Sequence, residues 1–251
     1  MELGKAIWKV YVHVYDGILL RFHPYLELLG QVKGALGAQD GWRVLDAGCG
    51  TGNFIQAIVN SPESVSMVGV DFERAMLERA RAKLGINGKI TLREGNLDFP
   101  LPFADGEFDG VVCVNALYAM ANPSQFIMEC RRVLKTEGKL VLVTPSQQPK
   151  MGPVFMEHLR ALRRKYPLLW IFPLCGQILW VSPSLLLFLL INRIIQGQSS
   201  FTFFSEKELS SLVTRCGFLI KKLEKTYGGQ AWFLVCTKPA AAEDGTAGKG
   251  V

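Results

Sequence analysis

From residue 43 to residue 144 the chain alternates short apolar runs with one-sided amphipathic stretches. The runs 43–46, 65–71, 90–94, 108–115 and 139–144 have the length and the Val, Leu and Ile content of strands. Between them, 53–60, 73–83 and 123–134 predict helices, and Ala75, Met76, Ala80 and Leu84 mark the apolar side of the second. Val111-Val112-Cys113-Val114 and Leu140-Val141-Leu142-Val143 do not alternate apolar with polar, as expected of parallel strands covered on both faces. Strand and helix in turn predict an α/β fold, a parallel sheet with helices on both faces.

Outside this region the pattern changes. Residues 5–36 hold Trp8, Val12, Tyr15, Leu19, Leu20, Leu26, Leu28 and Leu29 at mixed spacing and predict two helices broken near Pro24. Ser205-Glu206-Lys207-Glu208 reads as a capping box that opens a helix running to Cys216, which Gly217 ends. The runs 218–226 and 231–237, joined through Tyr227-Gly228-Gly229, predict an antiparallel hairpin. Between 147 and 200 the pattern stops. Residues 166–192 contain no charged side chain, yet Pro167, Pro173, Gly176 and Pro183 interrupt them. The last clean run, 185–191, falls far below the roughly 20 residues of a spanning helix. The insertion is expected to be a lid whose apolar faces bury each other, enclose a lipid-like acceptor at a membrane surface, or meet a second copy. The tail 239–251, rich in Ala, Gly and charge, is expected to be disordered.

Charge sharpens the picture of the insertion. The net charge of +6 is moderate and gives no reason to expect nucleic acid. Residues 151–200 supply Arg160, Arg163, Arg164, Lys165 and Arg193 against Glu157 alone, five minus one, or +4 of that total. Basic groups just before an apolar run suit anionic headgroups beside acyl chains, so 160–195 is the expected contact with an anionic membrane. Cys49, Cys113, Cys130, Cys175, Cys216 and Cys236 show no Cys-x-x-Cys spacing and no neighbouring His cluster. They read as reduced thiols, with no disulfide framework and no metal site. Met1-Glu2-Leu3-Gly4-Lys5 lacks the features of a secretory signal, so the expected location is cytoplasmic, at most peripheral on a membrane, and not secreted.

The candidate chemistry lies where the first of these strands ends. Asp46-Ala47-Gly48-Cys49-Gly50-Thr51-Gly52 sets three glycines at every second position behind an acid and ahead of a helix. Glycine there lets main-chain amides approach a ligand with no Cβ between, and a helix start favours a carboxylate or phosphate. Asp71 closes the next strand, 25 residues after Asp46, and is placed to accept both hydroxyls of a ribose. A dinucleotide fingerprint needs Gly-x-Gly-x-x-Gly; here the third glycine comes one residue early and Asn53 takes its place.

An acid two residues ahead of Gly-x-Gly-x-Gly resembles the first motif of class I S-adenosylmethionine-dependent methyltransferases. Val70-Asp71-Phe72 followed by Ala75-Met76-Leu77 is similar to the second motif, which implies Asp71 on the ribose. Gly95-Asn96-Leu97-Asp98 with Pro102-Phe103-Ala104-Asp105-Gly106-Glu107-Phe108-Asp109 resembles the third motif of the methyltransferase type 11, ubiquinone/menaquinone-methyltransferase-like group. Asn96 stands where that group commonly has Asp; its amide oxygen still accepts from an adenine amino group, in a neutral and weaker bond. Asn115-Ala116-Leu117-Tyr118 is similar to the segment that packs near the methionine part. The likeness spans 40–146 and 201–238 as a core. It implies a Rossmann-like seven-stranded sheet with the last strand antiparallel, helices on both faces and the apolar helical insertion, 147–200, before the last helix. The N-terminal helices, 1–39, are then expected to close over the cofactor. That cofactor is S-adenosyl-L-methionine, with Asp46, Gly48, Cys49, Gly50, Gly52, Asp71, Phe72, Met76, Asn96, Leu97, Asn115 and Ala116 as its implied contacts.

The implied reaction is direct displacement at an already activated methyl group, which needs in-line holding and exclusion of water rather than an enzyme nucleophile. An oxygen, nitrogen or activated carbon acceptor would also call for a base. Tyr15, Tyr118 and His158 are the candidate catalytic groups; His13 and His23 also fall outside the sheet core, and Tyr11 and Tyr15 are placed to close over the cofactor. Three readings stay open: a methyltransferase acting on a hydrophobic lipid or prenylated-ring acceptor at a membrane surface, a soluble small-molecule methyltransferase, and a non-catalytic membrane-associated binding or scaffold protein of the same fold. The intact acids and glycines count against a lost cofactor site.

Overall fold

The computed structural model describes residues 12, 15–85, 88–172, 175–176, 186–187, 189–191, 193–194 and 201–240. The expectations for Trp8, Tyr11, His13, much of the apolar run after Phe172 and the tail from 241 concern residues outside that set.

Helical residues 15–19 lead into α1 (His23–Leu36). Pro24 lies in the first turn of α1, where a missing N–H leaves no bond unmade, so the break comes just before it. The alternating region follows as β1 (Arg43–Ala47), α2 (Asn53–Val59), β2 (Ser66–Asp71), α3 (Arg74–Leu84), β3 (Ile90–Glu94), β4 (Phe108–Val114), a 3-10 turn at Leu117–Ala119, α4 (Pro123–Val133) and β5 (Leu134–Pro145). Then come α5 (Met151–Lys165), α6 (Glu206–Arg215), β6 (Leu219–Thr226) and β7 (Ala231–Thr237). The seven strands form one sheet in the order β3-β2-β1-β4-β5-β7-β6. The first five are parallel; β7 runs antiparallel to both β5 and β6, as the family likeness implies.

Neighbouring residues on a strand face opposite sides, and here both sides are apolar. Val44, Val112, Val141 and Val143 pack with Leu28, Val32 and Leu36 of α1 and Phe54, Ile55 and Ile58 of α2. Leu45, Val111, Cys113, Leu140 and Leu142 pack with Phe126, Ile127 and Cys130 of α4 and Leu209 and Val213 of α6. Each such side chain contributes about 1.5–3 kcal/mol on burial, which is why these strands carry unbroken apolar runs. The capping box of α6 is complete: Ser205 Oγ accepts from the Glu208 amide, and Glu208 accepts from the Ser205 amide at 2.7 Å.

Two elements depart from the sequence pattern. β5 starts at Leu134, which pairs with Phe108, rather than at 139; the register slips before Gly110 and Glu137 takes a positive φ of 61°. The helix before it therefore ends at Val133. Within the insertion, α5 buries Val154, His158 and Leu162, one turn apart, and packs on α1. Of the cysteines, Cys49, Cys113, Cys130 and Cys236 are buried, Cys216 is half-buried and Cys175 is exposed; all are free.

The long loop before β4 has no ladder to hold it, and Arg132 of α4 does so instead. Its Nη1 donates to Phe103 O at 2.8 Å and Asp105 Oδ1 at 2.7 Å, and its Nη2 to Leu101 O at 2.9 Å and Glu129 Oε2 at 2.8 Å. Glu129 Oε2 also accepts from the Leu101 amide at 2.7 Å. Arg132→Met should cost about 2 kcal/mol in urea unfolding, because it strips partners from a buried carboxylate and two carbonyls. Arg132→Lys should recover only part, since an ammonium cannot reproduce the planar fork.

Candidate active site

In an open α/β sheet, ligands bind at the carboxyl edge where successive strands depart to opposite sides. Here that point lies between β1 and β4. The loop leaving β1 is held by the end of β2: the Gly48 and Cys49 amides donate to Val70 O at 2.8 and 3.1 Å. The Gly50 amide donates to Asp71 Oδ2 at 2.8 Å, and the Glu73 amide to Asp71 Oδ1 at 2.9 Å. The Phe72 amide also bears on this carboxylate, which offers about four acceptor sites in all, so capacity is left for a ligand hydroxyl.

Two glycines have distinct jobs. Gly48, at φ 78°, lies so close to the chain leaving β4 that a Cβ would come within 2.4 Å of Ala116 Cβ. Gly50, at φ 52°, would carry a Cβ into open space with nothing within 4 Å. The first is a packing requirement, and the second opens the cradle. Gly52, also at positive φ, is the N-cap of α2.

Asp46 is 2% exposed at the end of β1, and its Oδ2 has no hydrogen-bond partner among the described residues. Thr144 Oγ1, near the carboxyl end of β5, is likewise buried and unpartnered. Burial, then the nearby Asp71 charge, push the Asp46 carboxyl up to about 8. Asp71 is also raised by burial, against the pull of the Glu73, Gly50 and Phe72 amides. Burial and both acids push the Cys49 thiol well up, so it is no thiolate nucleophile.

The other residues singled out by sequence are dispersed. Asn115, at φ 54°, donates its amide to Val143 O at 2.8 Å, and Ala116 presses on Gly48. Phe72 is 39% exposed beside Asp71, whereas Met76 and Leu97 are buried. Asn96 Oδ1 accepts from the Asp98 amide at 3.0 Å, and Asp98 Oδ1 accepts from the Ala121 and Asn122 amides. Tyr118 follows β4, buried, with its ring stacked on Phe203 at 5.7 Å and tilted against Phe201 at 5.6 Å. His158 is buried on α5, stacked on Phe22 at 4.7 Å, and its Nδ1 accepts from the His23 amide at 3.2 Å. That bond leaves the proton of the neutral ring on Nε2.

Sequence reasoning missed a charged knot at the loop. Asp16, in helical residues 15–19, accepts from Thr51 Oγ1 at 2.6 Å and Asn53 Nδ2 at 3.2 Å. Its other oxygen pairs with Lys83 at 2.9 Å and Arg79 at 3.4 Å, both on α3. Lys83 also donates to Thr51 Oγ1 at 3.1 Å and to Asn53 Oδ1, and Tyr25 OH accepts from Asn53 Nδ2 at 3.2 Å. Burial lowers the Lys83 ammonium while Asp16 opposes the shift. The available signal was slight: Asp16 is the single charge between Lys9 and Arg21.

Two acids under an open glycine loop, one with an orphaned oxygen, fit a ligand that brings a cation together with ribose hydroxyls. This fold and site define the adenosylmethionine-binding class of α/β enzymes. A family model described as "Methyltransferase domain" matches residues 45–142. A demethylmenaquinone methyltransferase of Deinococcus radiodurans is 34% identical over 171 residues, which cover 61% of this chain and 67% of the relative. The ubiquinone/menaquinone biosynthesis C-methyltransferase UbiE of Geotalea uraniireducens is 32% identical over 108 residues; the match covers 41% of this chain and spans about half of that relative, 46%. A solved S-adenosylmethionine-dependent methyltransferase of Aquifex aeolicus superposes with a TM-score of 0.58 at 15% identity, covering 84% of this chain and 89% of the other. The chain belongs to the class I S-adenosylmethionine-dependent methyltransferases, in the ubiquinone/menaquinone-methyltransferase-like group, and its cofactor is S-adenosyl-L-methionine.

Two outcomes test this geometry. The Asp46 carboxyl holds its proton in the fold up to about pH 8, while the unfolded chain releases it near 3.8. The folded state thus binds more protons across that window, and stability falls as pH rises through it, by up to about 1.4 kcal/mol per unit. Asp46→Asn should flatten this slope in ligand-free urea titrations, relative to the parent. Asp16→Ala should cost about 3 kcal/mol because it leaves Lys83 half-buried without its carboxylate. In a double-mutant cycle, Lys83→Met should cost much less in the Asp16→Ala background than alone.

Proposed function

We propose that this chain transfers the methyl group of S-adenosylmethionine to a ring carbon of a reduced, lipophilic, quinone-type acceptor met at a membrane surface, with S-adenosylhomocysteine as leaving group and the displaced ring proton released to solvent. The observation that carries the reading is the buried, unpartnered Asp46 oxygen beneath an open glycine loop. The nature of the acceptor is supported by the activities for which the relatives are named and by an aromatic wall after β4. Tyr118, Phe201 and Phe203 stack there, and Phe203 also lines a cleft of about 610 Å³ with Gln147, Gln148, Pro149 and Lys150, beyond the end of β5.

The bound cofactor supplies an electrophilic methyl group. Asp46 would face its ammonium, the loop amides and Asp71 would hold its polar atoms, and helical residues 15–19, tied to the loop through Asp16, would close over it. Burial raises the Tyr118 phenol, so it stays protonated and serves as a hydrogen-bond donor to an acceptor oxygen rather than as a base. The aromatic wall orients a flat ring and keeps water away from the reacting carbon.

The test is transfer of radiolabelled methyl to a reduced, short-tailed demethylquinone, run beside a panel of water-soluble hydroxy and amino acceptors. Label on the quinone ring is expected; label only on the soluble panel would favour the soluble small-molecule reading. Asp71→Ala should weaken S-adenosylhomocysteine binding by about 1–3 kcal/mol in calorimetry. Tyr118→Ala should raise the acceptor KM while leaving that binding unchanged.

A further inference from the structure

We infer that the outer face of α5 and the segment just after it form a docking surface for an anionic lipid bilayer; this rests on the lipophilic-acceptor reading and deepens it. The inner face of α5 is fixed by the burial of Val154, His158 and Leu162. At 100° per residue, Met156, Arg160, Arg163 and Arg164 point to the opposite side, and all four are exposed. None of Arg160, Arg163, Arg164 and Lys165 makes an ion pair among the described residues. The helix thus presents unneutralised positive charge outward.

The chain leaving this helix turns apolar without turning inward. Leu168 is 93% exposed, Leu169 61%, Ile171 53% and Phe172 74%. Four large apolar side chains in five consecutive positions make a patch that a protein facing only water seldom leaves open. The aromatic residues at the junction are of the kind that favours the water–lipid boundary: Arg163 lies over the Trp170 ring at 4.5 Å and Lys165 over the Tyr166 ring at 5.4 Å. Basic side chains suit phosphate headgroups, and the adjoining leucines and phenylalanine suit acyl chains. A second copy of this chain would bring the same positive charge against itself, so charge complementarity favours the anionic bilayer. No helix among the described residues is long and apolar enough to cross a membrane, so the contact is with one surface.

Flotation of the full chain tests this, with vesicles of phosphatidylcholine and phosphatidylglycerol in equal parts against pure phosphatidylcholine. The expected result is recovery with the anionic vesicles, partial release by high salt and little recovery with the neutral ones. Arg160→Gln/Arg163→Gln/Arg164→Gln should reduce partitioning on the order of a hundredfold. Leu168→Ser/Phe172→Ser should reduce it by a similar factor on the same vesicles. Both variants should retain parental melting, S-adenosylhomocysteine binding and turnover of the short-tailed acceptor, since these side chains are exposed. Parental protein left in the soluble fraction, equal flotation on neutral vesicles, or variants that float like the parent would overturn the inference. So would a dimer in sedimentation that Leu168→Ser/Phe172→Ser dissociates, without any flotation of the parent. Flotation as expected with no methyl transfer to any acceptor would instead overturn the proposed reaction and leave the docking surface standing.

Discussion

The bond from the Gly50 amide to the Asp71 carboxylate is the constraint on which the site depends. With the Gly48 and Cys49 amides on Val70 O, it clamps the turn after β1 to the end of β2. That clamp aims Gly50 at open space, places Gly52 to start α2 and leaves Asp46 below with one oxygen unmatched. The arrangement is costly while no cation is present, because two acids share a dry site. A cation bound there would relieve that cost.

Charged residues anchor the parts of this fold that the sheet cannot reach. Asp16 joins the N-terminal helical segment to Thr51, Asn53, Arg79 and Lys83, while Arg132 joins the loop of residues 101–105 to α4. In each case a half-buried or buried ion is satisfied by several hydrogen bonds rather than by one partner. Such networks penalise misplacement more than they stabilise correct placement, which suits segments that must keep one position.

The sequence made the sheet legible because parallel strands need apolar residues on both faces, and Val111–Val114 and Leu140–Val143 say so without help from context. The glycine loop was legible for a different reason: alternate glycines behind an acid have few other uses. The start of β5 was not, because Leu134 satisfies a helical face as well as a strand, and only its partner Phe108 decides. α5 was hidden by a Gly-Pro pair in its first turn and by a histidine at one of its three buried positions. The Asp16 knot was hidden by distance: its cationic partners lie on α3, far along the chain, and separation of that kind leaves no local pattern.

The near-contact of Gly48 with Ala116 has an evolutionary consequence. With the loop path fixed, the room between these positions holds one methyl group and no more. Descendants of this chain can therefore explore Gly or Ala at 116, but Val or Leu there would first require a different course for the loop. Covariation between 48 and 116 across a lineage should thus mark the moments when the cradle was rebuilt rather than merely redecorated.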